Sequence, residues 1–453
     1  MIHPRDALAR TGGAFRLANA TVPAVLVDGP VPAPDATGLV RLDLAVEAGR
    51  VTAVAPAGSL AAADGPPVVD VDRGMVWPLF VDMHTHLDKG HIWPRTPNPD
   101  GRFMSALLAV KSDREAAWSP DDVRRRFDFS LKCAYAHGTR VIRTHIDSIP
   151  PQDALSWPVF EDLRAAWAGR IDLQGVSIVG PDTMVDADAM DAIARRVKAA
   201  GGVLGGSVAV FPEARKAVAV TVATAIRHGL DLDLHIDETE DPASVALGLY
   251  AEEILAQGFE GRAVAGHCCS LARQDDATVD RTLDRVAEAG IAVVSLPICN
   301  MYLQDRHLAG DDETGAGPRR TPRWRGVTLL HEMKARGIRV AVASDNTRDP
   351  FYAYGDLDAL EVFREATRIL HLDHPHGGWP AAVARDAADA IGADGFGRIR
   401  VGGPADLALF RGRTYTELLA RPESDRVILR DGRPTVASLP DYRDLDDLFG
   451  DLS

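Results

Sequence analysis

The sequence predicts an α/β protein: a (β/α)8, TIM-type barrel over residues 76–398, with a small β-sandwich domain built from both chain ends, residues 1–75 and 399–453. Three observations predict it. Strand-like and helical stretches alternate through the middle of the chain, both ends have a short-strand texture, and metal-competent polar residues recur where barrel strands end. The strand-like runs are Trp77–Met83, Arg140–Ile146, Ile171–Ile178, Val203–Val210, Leu230–Ile236, Ala263–Ala265, Ile291–Leu296 and Arg339–Ala343. Between them lie stretches of helical spacing, such as Pro120–Ala136, Asp186–Ala199, Ala214–His228, Pro242–Gln257, Asp276–Ala289 and Val327–Arg336. Strands alternating with helices imply a parallel sheet. Eight such units over about 270 residues match an eight-stranded barrel in count and size.

The N-terminal residues read as a small β unit, with short apolar runs such as Ala24–Val27, Leu42–Val46 and Val51–Val54 broken by turn residues. That character resumes at Gly402–Phe410 and continues in Arg426–Arg433, where Asp431-Gly432 has the chemistry of a hairpin turn. The polar, Gly- and Pro-rich stretch His307–Arg323 reads as a long loop after the seventh strand, and loops of that length often serve as lids.

A chain of 453 residues exceeds the size at which one core stops growing, which suits a large domain with a smaller one. Its 46% apolar and 25% charged content is ordinary for a globular protein. A net charge of −15 argues against nucleic-acid and anionic-membrane partners, because both require a basic face. No apolar run approaches the roughly 20 residues that cross a bilayer. The stretch Met1–Asp6 lacks the apolar core of a secretory signal. Cys133, Cys268, Cys269 and Cys299 form no C-x-x-C pair and read as buried thiols in a reducing cytoplasm.

In a barrel of this kind the active site forms at the C-terminal ends of the strands. His84 and His86 end the first strand two residues apart, a spacing that points both to one face. Alone, such a pair also fits two satisfied polar side chains. His235 ends the fifth strand, His267 the sixth and Asp345 the eighth. Three imidazoles (His84, His86, His235) and the Asp345 carboxylate suit one divalent ion per chain, Zn2+ or Fe2+. Water held by such an ion is acidified to a pKa of about 7. Glu238, three residues past His235, is placed to move a proton, and His267 to orient the nucleophile or polarise substrate. Each has a plainer alternative: His267 as a core histidine, Glu238 as part of a solvated acidic loop capping the next helix, Asp345 as a helix N-cap. Asp349-Pro350 is the better helix start. His145 ends the second strand and is expected in the pocket or behind the ligands, with a structural role as the alternative.

Taken together, Phe80–Lys89, His235–Glu238, Gly266–Leu271 and Ser344–Phe351, with the closing Gly402–Leu407, resemble the cytosine-deaminase-like branch of the amidohydrolase superfamily. The resemblance implies that His84, His86, His235 and Asp345 bind a single metal and that Asp345 takes the proton of its water. It implies that Glu238 protonates the ring nitrogen and leaving amine, and that His267 stabilises the tetrahedral adduct. Lys89 matches a lysine that contacts substrate oxygen in triazine-type relatives, and Phe351 a substrate-stacking aromatic. Cytosine deaminases carry a second Asp where this chain has Asn346, and a Gln where it has Val179-Gly180-Pro181. Losing such a hydrogen-bonding pair costs about 10⁴-fold in discrimination, which points away from cytosine. The Pro-Cys-x-x-Cys signature of the zinc nucleobase deaminases is absent, and the fourth strand has no Lys to bridge two metals.

The expected function is therefore hydrolytic deamination of an aminated nitrogen heterocycle of pyrimidine, pterin or triazine type. Hydrolysis of N-alkylamino or ring C–N bonds is the alternative, and a catalytically inactive binding protein a more distant one. The expected partner is a small heterocyclic substrate, and a homo-oligomer is compatible.

Overall fold

The apolar runs in the middle of the chain become short, fully buried parallel strands, as expected for strands covered on both faces. The structure, a computed structural model, describes residues 4–60, 65–311 and 317–450. Three strands, Phe80–Thr85, Thr139–Asp147 and Asp172–Ile178, form one parallel sheet. Five more, Leu204–Val208, Leu232–Ile236, Ala263–His267, Ala292–Ser295 and Val340–Val342, form a second in sequence order. Parallel bridges at Val176–Val203 and Thr85–Asp345 lie between the edges of the two sheets. The architecture is α/β with parallel-strand sheets, and register is what matters for function. Pairing sets His235 beside Gly266 and Ser207, so strand ends from distant parts of the chain meet.

Helices follow the strands, and their boundaries have local causes. Pro120–His137 starts where the Ser119 hydroxyl accepts from the Asp122 amide and stops at Gly138, which adopts φ 98°. Ala187–Ala199 and Asp276–Glu288 are capped in the same way by Asp186 and Asp275.

Two four-stranded sheets lie outside this set. One orders Arg50–Pro56, Leu39–Glu47, Phe15–Pro23 and Val68–Asp70; the other orders Arg433–Pro434, Val427–Arg430, Leu407–Leu409 and Val76–Pro78. They share a core in which Phe15, Leu17, Leu42 and Leu44 pack with Leu407 and Leu429.

Several expectations are corrected. The run Trp77–Met83 is two strands: Val76–Pro78 pairs antiparallel with Leu407–Leu409, and only Phe80–Thr85 joins the parallel sheet. Ala24–Leu26 is a 3-10 turn rather than a strand. No helix starts at Asp349-Pro350. Asp349 Oδ1 instead accepts from the Phe351 and Tyr352 amides, and the next helix is Ala359–Leu370, capped by Asp358. A short helix, Pro297–Leu303, precedes the long loop, of which residues 312–316 lie outside the described residues. The segment Met1–Asp6 falls partly outside them as well. Asp431-Gly432 forms its turn with φ of 47° and 70°, both in the left-handed region that such hairpins need. All four cysteines are free and buried, and no helix among the described residues is long and apolar enough to cross a membrane.

Candidate active site

The first strand ends at Thr85, placing His84 on its last turn of pleat and His86 just beyond. The loop that follows is buried and held from below. The fully buried Arg126 guanidinium donates to the carbonyls of Asp88 (2.7 Å) and Gly90 (3.0 Å), while Asp88 Oδ2 accepts from the Asp147 amide at 2.8 Å. His84, His86 and His235 converge through their Nε2 atoms. His235 Nε2 lies 3.2 Å from that of His84 and 3.0 Å from that of His86. Asp345 Oδ1 is 3.6 Å from His84 Nε2 and 3.3 Å from His86 Nε2.

This donor set fits a divalent cation. Ligand atoms held by one ion through bonds of about 2.0–2.2 Å lie about 3 Å apart, which matches these spacings. Burial, reinforced by nearby cationic groups, holds all three histidines well below their usual pKa, so their inward nitrogens keep lone pairs. Both Asp345 carboxylate oxygens are buried without a hydrogen-bond partner in the protein, a costly state that a bound cation relieves. Burial raises the Asp345 pKa to about 7 in the absence of such an ion. Asp345 and His267 also sit at left-handed φ, 65° and 69°, a strained backbone region for residues other than glycine.

His145 stands behind this set. Its Nε2 lies 3.1 Å from His84 Nδ1 and 3.9 Å from Asp233 Oδ1, and Asp233 pairs with Arg143 at 2.8 Å. Of its expected positions, these contacts fit one behind the candidate ligands, against the outer nitrogen of His84. Gly266 has a steric role: a Cβ there would come within 3.0 Å of His84 Cε1.

Glu238 and His267 face the ligands together. Glu238 Oε1 is 3.3 Å from His267 Nδ1, and its side chain is 10% exposed. A donor atom of His267 lies within 4.8 Å of those of His84 and His235, and one of Glu238 within 4.8 Å of Asp345. Burial, then the Asp345 charge, pushes the Glu238 pKa well above the carboxylate range, while burial lowers His267 to about 3. The acidic run after His235 divides its work. Asp237 accepts from the amides of Ala246 (3.0 Å) and Leu247 (2.9 Å) and so caps the following helix, while Glu238 turns inward.

Around this centre, Lys89 Nζ pairs with Asp147 at 2.9 Å and lies 5.9 Å from the Phe351 ring centroid. Burial alone would lower the Lys89 pKa, but Asp147, Asp88 and Asp349 together raise it. Asn346 donates to Asp349 at 2.6 Å and contacts the Cys299 thiol. Gly180 begins the short helix Pro181–Met184, and a Cβ there would meet nothing within 4 Å. Sequence reasoning missed Asp147, Arg126 and Asn300. The available signal was their place: Asp147 is two residues past His145 at a strand end, and Asn300 lies in the helix that follows the seventh strand.

The chain is similar to proteins of known activity. Residues 162–436 match the amidohydrolase family. A pterin deaminase from Rhizobium rhizogenes is 53% identical over 436 residues, 96% of this chain and 97% of that protein. The crystal structure of 5-methylcytosine deaminase from Klebsiella pneumoniae superposes with a TM-score of 0.77 at 23% identity, covering 93% of this chain and 97% of that one. That of N-isopropylammelide isopropylaminohydrolase from Burkholderia multivorans gives 0.70 at 25% identity, with the same coverage of both chains. This chain belongs to the amidohydrolase family, as a hydrolytic enzyme of its metal-dependent deaminase branch.

Proposed function

We propose that this enzyme hydrolytically deaminates an aminated nitrogen heterocycle, with a pterin as the favoured substrate, water replacing the ring amino group with oxygen and ammonia leaving. The carrying observation is that His84, His86, His235 and Asp345 converge opposite Glu238 and His267. The 53% identity to a pterin deaminase supports the ring type.

His84, His86, His235 and Asp345 would hold one divalent ion, Zn2+ or Fe2+. Such an ion supplies an acidified water as nucleophile. Asp345 takes the proton of the attacking water. Glu238, whose pKa burial and the Asp345 charge raise, protonates the ring nitrogen beside the reacting carbon; it then takes the hydroxyl proton of the adduct and passes it to the amine, which leaves as ammonia as the carbonyl forms, and recovers its own proton from Asp345. His267 donates to the oxygen that becomes the product carbonyl. Lys89 meets a ring oxygen, Phe351 stacks on the ring, and Asn346 reads its edge. Gly180, standing where cytosine deaminases carry a Gln, favours a larger ring than a pyrimidine. In this proposal the eight parallel strands form one (β/α)8 barrel, supported by the bridges at both sheet edges. The two chain ends form a β-sandwich, supported by their shared core, with the division falling just after Pro78 rather than after residue 75. Four buried free thiols support a cytoplasmic setting.

A second reading, release of an alkylamine, is favoured by Lys89 and by the Burkholderia structure. The test is product analysis of metal-loaded protein with pterin, isocytosine, cytosine, an aminotriazine and an N-alkylaminotriazine. Ammonia is expected, fastest from pterin. Alkylamine alone would sink the deaminase proposal, and no product from any of them would leave a binding protein.

A further inference from the structure

The helix that follows the seventh strand, Pro297–Leu303, buries Asn300 between two groups assigned to proton handling. Asn300 Nδ2 lies 3.1 Å from Glu238 Oε1 and 3.0 Å from His267 Nδ1. A side-chain amide nitrogen carries two hydrogens, so one goes to each. His267 Nδ1 must then accept, which leaves the ring hydrogen on Nε2. That Nε2 is buried without a partner in the protein, on a ring whose neighbours include His84 and His235. The amide is held in place. The Asn300 amide donates to the Leu296 carbonyl at 2.9 Å, its own carbonyl accepts from Gln304 at 2.9 Å, and Gly326 presses against that carbonyl so closely that a Cβ would come within 2.8 Å. Most side-chain hydrogen bonds in proteins go to backbone groups or water. Asn300 spends both amide hydrogens on two ionisable side chains, while its Oδ1 has no partner.

We infer that Asn300 is a positioning residue: it holds His267 in the tautomer with hydrogen on Nε2 and aims the Glu238 carboxyl at the reacting ring. The catalytic part of this inference rests on the deaminase proposal; the tautomer part does not. Asn300→Asp is the discriminating variant, because it keeps the shape but can only accept. His267 must then carry its hydrogen on Nδ1, and Glu238 loses its donor and gains a carboxylate neighbour. In metal-loaded full-length protein labelled with 15N-histidine, His267 is identified by the signal lost in His267→Gln. It should show a bare Nδ1 in the wild type and a protonated Nδ1 in Asn300→Asp. Turnover of pterin should fall roughly 10- to 100-fold in Asn300→Asp and Asn300→Ala, the range for losing a hydrogen bond to an ionisable partner, with metal content kept and KM little changed. A protonated Nδ1 in the wild type overturns the inference even if no substrate is turned over. Wild-type kcat in either folded variant overturns it as well, whereas a wild type inactive on every substrate with a bare Nδ1 counts against the deaminase proposal alone.

Discussion

Gly266 shows how much one absent methyl group can decide. Its Cα faces His84 so closely that a Cβ would lie 3.0 Å from Cε1 and 3.3 Å from Nδ1 of that ring. Gly266→Ala is expected to tilt His84 and disturb its contact with His145, weakening metal binding about 10- to 100-fold while the fold survives. Metal retained after dialysis against a graded chelator measures this; unchanged retention would show that the ring relaxes freely. Glu238 is the complementary case, since its proposed part is the transfer of protons rather than the filling of space. Glu238→Gln should keep its metal and lose roughly 10²- to 10⁴-fold in turnover, because the amide cannot give up a proton. Wild-type rates in that variant would remove Glu238 from the proton path.

At the scale of elements, the helix Pro120–His137 holds the site without touching it. Its Arg126 grips the carbonyls of Asp88 and Gly90 and, through two further bonds of 3.0 and 2.6 Å, the Asp122 carboxylate. Arg126→Ala leaves these buried groups short of donors, and a loss of about 3–5 kcal/mol is expected. The loop carrying Lys89 would loosen with it, so KM should rise. Ser119→Ala is the control: it removes only the helix cap, costs about 1 kcal/mol and leaves KM alone. Urea midpoints and KM for the two variants separate helix stability from loop support, and equal effects on KM would deny Arg126 that role.

For the whole molecule, the site depends on strand ends contributed by residues 84 to 345, so metal and fold are linked. An ion held at 1,000 times its dissociation constant adds about 4.1 kcal/mol to stability. Chelation should therefore lower the thermal midpoint and abolish ammonia release, with Zn2+ or Fe2+ restoring both. A midpoint indifferent to chelation would mean that the four residues do not bind an ion. The chain ends matter in the same way. Val76–Pro78 finds its pairing partner only in Leu407–Leu409, and Phe15 and Leu17 share a core with Leu429. Truncation after residue 398 should give an insoluble product, and recovery of a folded, soluble fragment would contradict that dependence.

The candidate ligand residues were legible in the sequence because each is a metal-competent side chain ending an apolar run, and the strand period sends residues two apart to one face. The alternation of strands and helices was legible for the same reason, since burial on both faces leaves a continuous apolar signature. Tertiary structure alone decided three matters. It divided Trp77–Met83 between two sheets, because the pairing partner of Val76–Pro78 lies some 330 residues away. It placed His145 against His84 and Asp233, since a strand end fixes a side chain's face but not its depth. And it brought Asn300 between Glu238 and His267, a meeting of three strand ends that no local pattern records. Local chemistry is written in neighbouring residues, but the partners of a buried polar group are set by packing between segments far apart in the chain.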